Sequence, residues 1–440
     1  MRLPQLLILT ALCLGFESTA QEAMTFDACL ERAMQHNPSI RSALYNEKIA
    51  VLQHRASFGG VLPVVTADGE NRNSWGKEID SDTNLFVNDV IRNTEGTLNA
   101  TFNLFSGLTV LHSIRAAKQD KDITRANIEV LRNQVTIELA QRFITILYLQ
   151  DIIEANREQI ASSDKQLEIA QLKYDAGYIA ESELFKIKAQ KASEELTMLT
   201  NQNNLNDNMI SLKQLIDLPL DADLLLLKPE LNLNEYVAES RDPLEISKKA
   251  VDIHPAFRAS LLNQKRARTE LALARAERYP QLSMRLMWRS NVNHEIEDFV
   301  HYRDQMDGNI SRQIRFYLTI PIFNQFSTHS NIRSQRWLFK QSLVETKVEE
   351  NRLTKEVLLA INNAKTALKK NEASNIAFDF SQRSFDADAL KFEMGKISIT
   401  ELNTSKILFN NTQAELIQSR YELLFNNALI RFYMGEAFTL

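Results

Sequence analysis

The feature that most constrains this chain is that it is written twice. The segment Asn37–Leu44 (NPSIRSAL) recurs as His254–Leu261 (HPAFRASL), and Leu62–Pro63 recurs as Tyr279–Pro280. Further on, at an offset one residue larger, Thr101–Phe105 (TFNLF) falls on Thr319–Phe323 (TIPIF) and Ile114–Arg115 on Ile332–Arg333. Tyr174, Gly177 and Leu184 fall on Phe392, Gly395 and Leu402, and Asn208 falls on Asn426. Chance explains one such pair, not an ordered series. The single-residue shift lies between Pro63 and Thr101, in a stretch that reads as strand, loop and strand, where an insertion costs least. Each copy has one layout. A helix comes first (Phe26 to about Gly59; Pro243 to about Arg278). A proline-led strand, a polar loop and a second strand follow, then a long helical stretch interrupted at a glycine and a last helix. The copies are expected over 21–235 and 236–440, with Leu218 to Asp242 the main non-helical stretch, broken by Pro219 and Pro229.

The first 20 residues read as an export signal. Arg2 supplies the positive start, Leu6–Gly15 a short apolar run, and Ser18 and Ala20 the small residues before a cleavage that leaves Gln21 first. The run is well short of the ~20 residues a spanning helix needs. Cys13 follows Leu12, where a lipidation signal requires a small residue, and only Cys29 remains after cleavage, so no intrachain disulfide forms. No other segment is a candidate spanning helix. If this exported chain enters a membrane, it does so as a β-barrel.

Four segments carry the period-two alternation of strands with unlike faces: about 64–75, 97–105, 281–292 and 312–323. In the third, Leu282, Met284, Leu286 and Trp288 oppose Ser283, Arg285, Met287 and Arg289. Membrane barrel strands run ~9–11 residues with this apolar-out, polar-in pattern. The loops expected between paired strands, Gly76 to Thr94 and Asn293 to Arg312, are long and polar. Four strands cannot close a barrel, since the smallest have about eight, and an open edge in lipid is not viable. Copies must therefore associate; three give twelve strands.

Leu108 to Asp175 holds no Gly and no Pro. At ~1.5 Å per residue it reaches on the order of 100 Å. Ile123, Val130, Ile137 and Ile144, then Leu139, Ile146, Ile153, Ile160 and Leu167, recur every seven positions, the period of a coiled coil. At Asp175–Gly177 and Glu393–Gly395 the helix is expected to turn back, glycine accepting the left-handed geometry of a helix end.

Chemistry is sparse. The chain has 7 His, none in a close metal-binding pair, and a single mature Cys makes no thiolate zinc site, so no catalytic or metal site and no cofactor is expected. His294 and His301 fall together in an expected loop. A net charge of −5 offers no nucleic-acid footprint. From the residues alone, two readings stand: a passive conduit, and a periplasmic coiled-coil scaffold that bridges envelope layers without a pore. An apolar band facing lipid distinguishes the first.

The motifs NPSIRSA and HPAFRAS, LPVV and YPQLSM, NLFSG and PIFNQ, and YDAGYIAESEL and FEMGKISITEL resemble the TolC family of outer-membrane factors, over nearly all of the mature chain and in both copies. The resemblance implies a mixed α and β fold: a homotrimer with a 12-stranded outer-membrane β-barrel, four strands per chain, continued by a long periplasmic α-helical barrel. It implies a duct for efflux or type I secretion, docked to a periplasmic adaptor and an inner-membrane transporter. By the same resemblance Gly177, Tyr178 and Ile179, with Gly395, Lys396 and Ile397, are adaptor-contact candidates at the tunnel tip. Glu401 matches an acidic pore-constricting position and Glu183 is its first-copy counterpart; Thr404 stands where a second acid is expected. Three copies of Glu183 and Glu401 are expected to narrow the tip and favour cations.

Overall fold

A computed structural model describes residues 22–79, 85–229, 242–293 and 300–440. The expected export signal, residues 230–241 of the linking stretch and His294 lie outside them, as does the side chain of His301. The elements run β1 (Glu22–Met24), α1 (Phe26–His36), α2 (Pro38–Ser57), β2 (Val64–Ile79), β3 (Phe86–Ser106), α3 (Thr109–Asp175), α4 (Glu181–Leu215) and β4 (Leu224–Leu226). They continue with α5 (Pro243–Ile253), α6 (Pro255–Ala276), β5 (Gln281–Asn293), α7 (Val300–Gly308), β6 (Ser311–Thr319), α8 (Ser327–Glu393) and α9 (Ile399–Tyr433). The long helices α3 and α8 have 67 residues each, and α4 and α9 have 35 each.

Two expectations about the opening helices are corrected. Each is two helices, broken at Asn37 and at His254, because the residue before a proline is driven out of helical geometry. Both residues use the break to cap the next helix: Asn37 Oδ1 accepts from the Ser39 and Ile40 amides (2.9 and 3.2 Å), and His254 Nδ1 accepts from the Ala256 amide (3.2 Å).

The chain divides into two compact units. One comprises Ser42–Val130 and Val251–Leu353 and contains the four-stranded sheet, ordered β2-β3-β5-β6 with every neighbouring pair antiparallel. The first pairs of its two hairpins, Val64 with Thr101 and Gln281 with Thr319, occupy matching positions of the two sequence copies. Alternation sorts the side chains. Leu98, Ala100 and Phe102 of β3, Leu282, Met284, Leu286 and Trp288 of β5, and Ile314, Phe316 and Leu318 of β6 share one face in register. The other face carries Asp68, Asn99, Arg285, Arg289 and Tyr317, with Arg289 paired to Glu95 at 2.7 Å. The apolar face is bare: Ile314, Phe316 and Leu318 are each about two-thirds exposed. Among the described residues, β2 and β6 each have one edge without a strand partner.

The loops are shorter than expected. β2 extends to Ile79 and β3 starts at Phe86, so most of the expected Gly76–Thr94 loop is strand, paired as far as Ile79 with Phe86. The second expected loop holds α7, fastened to β5 where Asn309 donates to the Asn291 carbonyl at 2.9 Å. β6 ends at Thr319, short of the expected Phe323, because Pro321 has no amide to donate.

The second unit takes the described residues of Met1–Arg41, Leu131–Ala250 and Thr354–Leu440 and is a helical packing closed by a small β element. β1 and β4 pair in parallel, Ala23 opposite Leu225. Leu139, Phe143, Ile146 and Leu147 of α3 are fully buried. Phe26 sits edge-on to Phe143 (5.6 Å) and packs on Phe438, so the chain's last residues seal the same core. Cys29 of α1 is also buried.

Candidate functional site

The two helix turns belong to the helical unit and form one structure. Each long helix ends in the same left-handed glycine closure. The Gly177 amide bonds the Tyr174 carbonyl and the Tyr178 amide the Lys173 carbonyl, both at 2.8 Å, with Gly177 at φ 77°. Gly395 (φ 70°) bonds Phe392 and Lys396 bonds Lys391, both at 2.9 Å. Nothing lies near the missing Cβ of either glycine, so the backbone angle alone calls for glycine here.

One apolar cluster ties the turns together: Ala170, Leu184, Ile187, Phe392, Ile399 and Leu402 are buried, with Ile179 and Ile397 packed against them. Of the adaptor-contact candidates, Gly177, Tyr178, Gly395 and Lys396 are exposed, and Tyr178 is 83 % exposed. Ile179 and Ile397 are half-buried and serve as anchors of the cluster. A lysine closes the junction: Lys173 Nζ donates to the Phe392 carbonyl at 2.6 Å and lies 4.3 Å from the Phe392 ring centre. Its charge meets the negative end of α8. Lys186 of α4 donates to Thr400 Oγ1 of α9 at 3.2 Å.

The two acidic candidates differ. Glu401 closes a capping box: its Oε2 accepts from the Ser398 amide (3.0 Å) while its own amide donates to Ser398 Oγ (3.3 Å). Glu183 stands at the same place on α4, but the residue preceding that helix is Ala180, which has no side chain to cap with.

The sequence reading missed a buried polar cluster further up these helices. Lys406 of α9 is 1 % exposed and its Nζ lies 3.1 Å from Glu194 Oε1 of α4. Ser163 of α3 donates to Glu194 Oε2 and accepts from Lys406, and Gln190 Nε2 donates to Glu194 Oε1 at 3.1 Å. Burial holds the Lys406 ammonium below its ordinary value of 10.5, against the opposing pull of Glu194. A signal existed: Glu194 follows Ile187 by one heptad, and Lys406 follows Leu402 by four residues, so both charges stand in the apolar register.

Among the described residues no group of His, Cys, Asp and Glu could hold a metal, and no helix is long and apolar enough to cross a membrane. With the turns and sheet in place, the comparisons decide the family. The sequence model described as outer membrane efflux protein matches residues 29–217 and again 246–436. The chain belongs to the outer membrane efflux protein family. Outer membrane protein TolC of Escherichia coli (strain K12) is 18 % identical over 97 % of this chain and 85 % of that protein. The Campylobacter jejuni CmeC outer membrane channel superposes with a TM-score of 0.81 at 16 % identity, covering 98 % of this chain and 94 % of that one. VceC of Vibrio cholerae superposes with a TM-score of 0.80 at 15 % identity, over 94 % and 97 %. This family member is thus an outer-membrane efflux channel protein of mixed, mostly helical fold, with a large periplasmic helical part. Its relatives are channels, not enzymes.

Proposed function

We propose that three copies of this chain close one twelve-stranded barrel in the outer membrane and one helical tunnel below it, forming the outer duct of a tripartite efflux or type I secretion system. The observation that carries this is the sheet: an apolar face left bare, a polar face opposite, and a free edge on β2 and on β6. An open edge in lipid leaves backbone groups unsatisfied, and neighbouring copies remove it. In this reading residues 1–20 are the cleaved signal and the two sequence copies are two structural repeats. The mature protein, extracted from outer membranes in detergent and weighed by light scattering with the detergent mass subtracted, is expected to be a trimer. A stable monomer, or a protein found only in the soluble periplasm, would restore the scaffold reading.

The paired turns are proposed as the end that meets a periplasmic adaptor, itself coupled to an inner-membrane transporter that supplies the energy. Tyr178 and Lys396, both exposed there, are the contact residues of choice. Glu183 and Glu401 are proposed to face the pore and favour cations. Glutamine is the apt replacement, because it can keep the capping box that Glu401 makes. Glu183→Gln/Glu401→Gln is expected to lower cation selectivity in single-channel recordings; unchanged selectivity refutes the ring.

A further inference from the structure

Where the sheet meets the helices, basic side chains gather beside a single carboxylate. Arg275 and Arg278 lie at the end of α6, and His329, Arg333 and Arg336 on the first turns of α8. With Tyr279 they line an open concavity of about 620 Å³. All four arginines are exposed, and among the described residues none makes a side-chain hydrogen bond or ion pair. The carboxylate beside them, Glu277, accepts from Asn331 at 3.0 Å. Four guanidinium groups beside one carboxylate keep an excess of positive charge and are stabilised by an anion that accepts their paired N–H groups, and phosphate oxygens match that fork.

The surroundings say which anion. Tyr279 and Pro280 lead directly into β5, and the segment from the end of β6 to α8 carries Ile322, Phe323 and Phe326, which are 94 %, 71 % and 67 % exposed. An apolar, aromatic rim therefore adjoins the basic concavity. Since the helices are periplasmic, this rim marks the periplasmic edge of the membrane. We infer that the concavity holds the phosphodiester headgroup of an anionic phospholipid of the periplasmic leaflet, its acyl chains lying along the apolar rim. Basic pockets at this depth of a membrane protein recognise such headgroups. The site fixes the height of the barrel against the leaflet.

The inference rests on the barrel reading, and the test separates the two. The full-length protein is taken from the outer-membrane fraction, stripped of lipid in detergent, and given phosphatidylglycerol or phosphatidylethanolamine, with bound lipid read by native mass spectrometry. The wild type is expected to hold phosphatidylglycerol, and Arg275→Gln/Arg278→Gln/Arg333→Gln/Arg336→Gln to hold it more weakly by roughly a hundredfold or more. Arg333→Gln/Arg336→Gln, confined to an exposed helix face, gives a smaller loss should the fourfold variant fold poorly. Arg383→Gln, far along α8, is expected to change nothing. Equal retention of both lipids by the wild type, or no loss in either variant, overturns the inference. Displacement of the lipid by millimolar inorganic phosphate assigns the site to free anions and overturns it too, and loss of the trimer in the variants makes this face a contact between copies. Absence of the wild type from the outer-membrane fraction refutes the barrel reading instead.

Discussion

Ser163 and Glu194 in the first half of the helical unit match Ser381 and Thr412 in the second, yet the two pairs do different work. The second is neutral: Ser381 and Thr412 share a hydrogen bond of 2.5 Å, and Thr412 also donates to the Phe409 carbonyl at 2.9 Å. The first contains a buried carboxylate and draws in Lys406 from α9. The position matching Lys406 in the first half is Lys188, which is exposed. The two sites, 218 residues apart in the sequence, share a packing role and differ in charge. Among the described residues, the first helix pair is tied to α9 by a buried ion pair, and the matching site of the second is neutral.

The largest expected effect comes from splitting that ion pair. Lys406→Met leaves Glu194 buried and unpaired, which costs on the order of 3–5 kcal/mol. Lys406→Met/Glu194→Leu is expected to recover most of this, since an apolar replacement of the whole pair is often neutral. Thr412→Val, at the matching neutral position, is expected to cost about 1 kcal/mol. Urea midpoints of the helical signal in detergent measure all three. Equal losses for Lys406→Met and Thr412→Val would erase the distinction between the halves. The pH dependence has a definite sign. Because burial lowers the pKa of Lys406 in the folded state, the unfolded chain binds more protons between that value and 10.5. Stability from this group therefore rises with pH through that window, and the slope is expected to vanish in Lys406→Met.

What could be read in advance follows the same division. The long helices, the glycine turns and the apolar sheet face were legible because each rests on a local period or a single backbone requirement. The outer part of β3 was not. Its residues Thr94 and Asn93 are polar like their partners Asn71 and Arg72, and a strand with two polar faces has no period-two signal. β1 and β4 exist only as each other's partner, three residues apiece, with nothing local to announce them. The breaks at Asn37 and His254 were written plainly as X–Pro, but the helical pattern ran on through them. Lys406 stood in the apolar register, but its burial requires α3 and α4, which no single-helix pattern contains. At the turns, the glycines were found from the repeat, while the capping box of Ser398 and the Lys173 closure became visible only with the helices assembled.

The two helix starts after the turns sharpen the comparison at a smaller scale. Ser398 and Ala180 have nearly the same backbone, φ −78°, ψ 158° and φ −77°, ψ 153°. Each is followed three residues later by a glutamate, Glu401 or Glu183. Ser398→Ala is expected to cost about 1 kcal/mol, and Ala180→Ser to gain somewhat less by building the missing capping box. The Glu183 amide already donates to the Ala180 carbonyl at 3.0 Å, so its hydrogen exchange is expected to slow only modestly in Ala180→Ser, as the new hydroxyl adds a second acceptor. No slowing would mean that the first turn is held differently despite its matching angles.

The smallest expected gain lies at the entries to the long helices, beside a larger loss at the matching site. Before α3 the chain takes two left-handed residues, Gly107 (φ 63°) and Leu108 (φ 72°); before α8 the matching residues are Gln325 (φ 56°) and Phe326 (φ 63°). Glycine at the first site is demanded twice over, since a Cβ there would stand 2.6 Å from the Ala276 carbonyl oxygen. The second half carries a side chain through the same turn and bears the strain, roughly 1 kcal/mol for a non-glycine residue. Gln325→Gly removes that strain but loosens the unfolded chain, so the net gain is expected to be a few tenths of a kcal/mol. Gly107→Ala, meeting both the backbone angle and the carbonyl, is expected to lose ~2 kcal/mol or more. Opposite signs for the two substitutions would show that the halves solve one geometric problem unequally. A loss in Gln325→Gly would mean that the glutamine side chain contributes enough at that turn to outweigh its strained backbone.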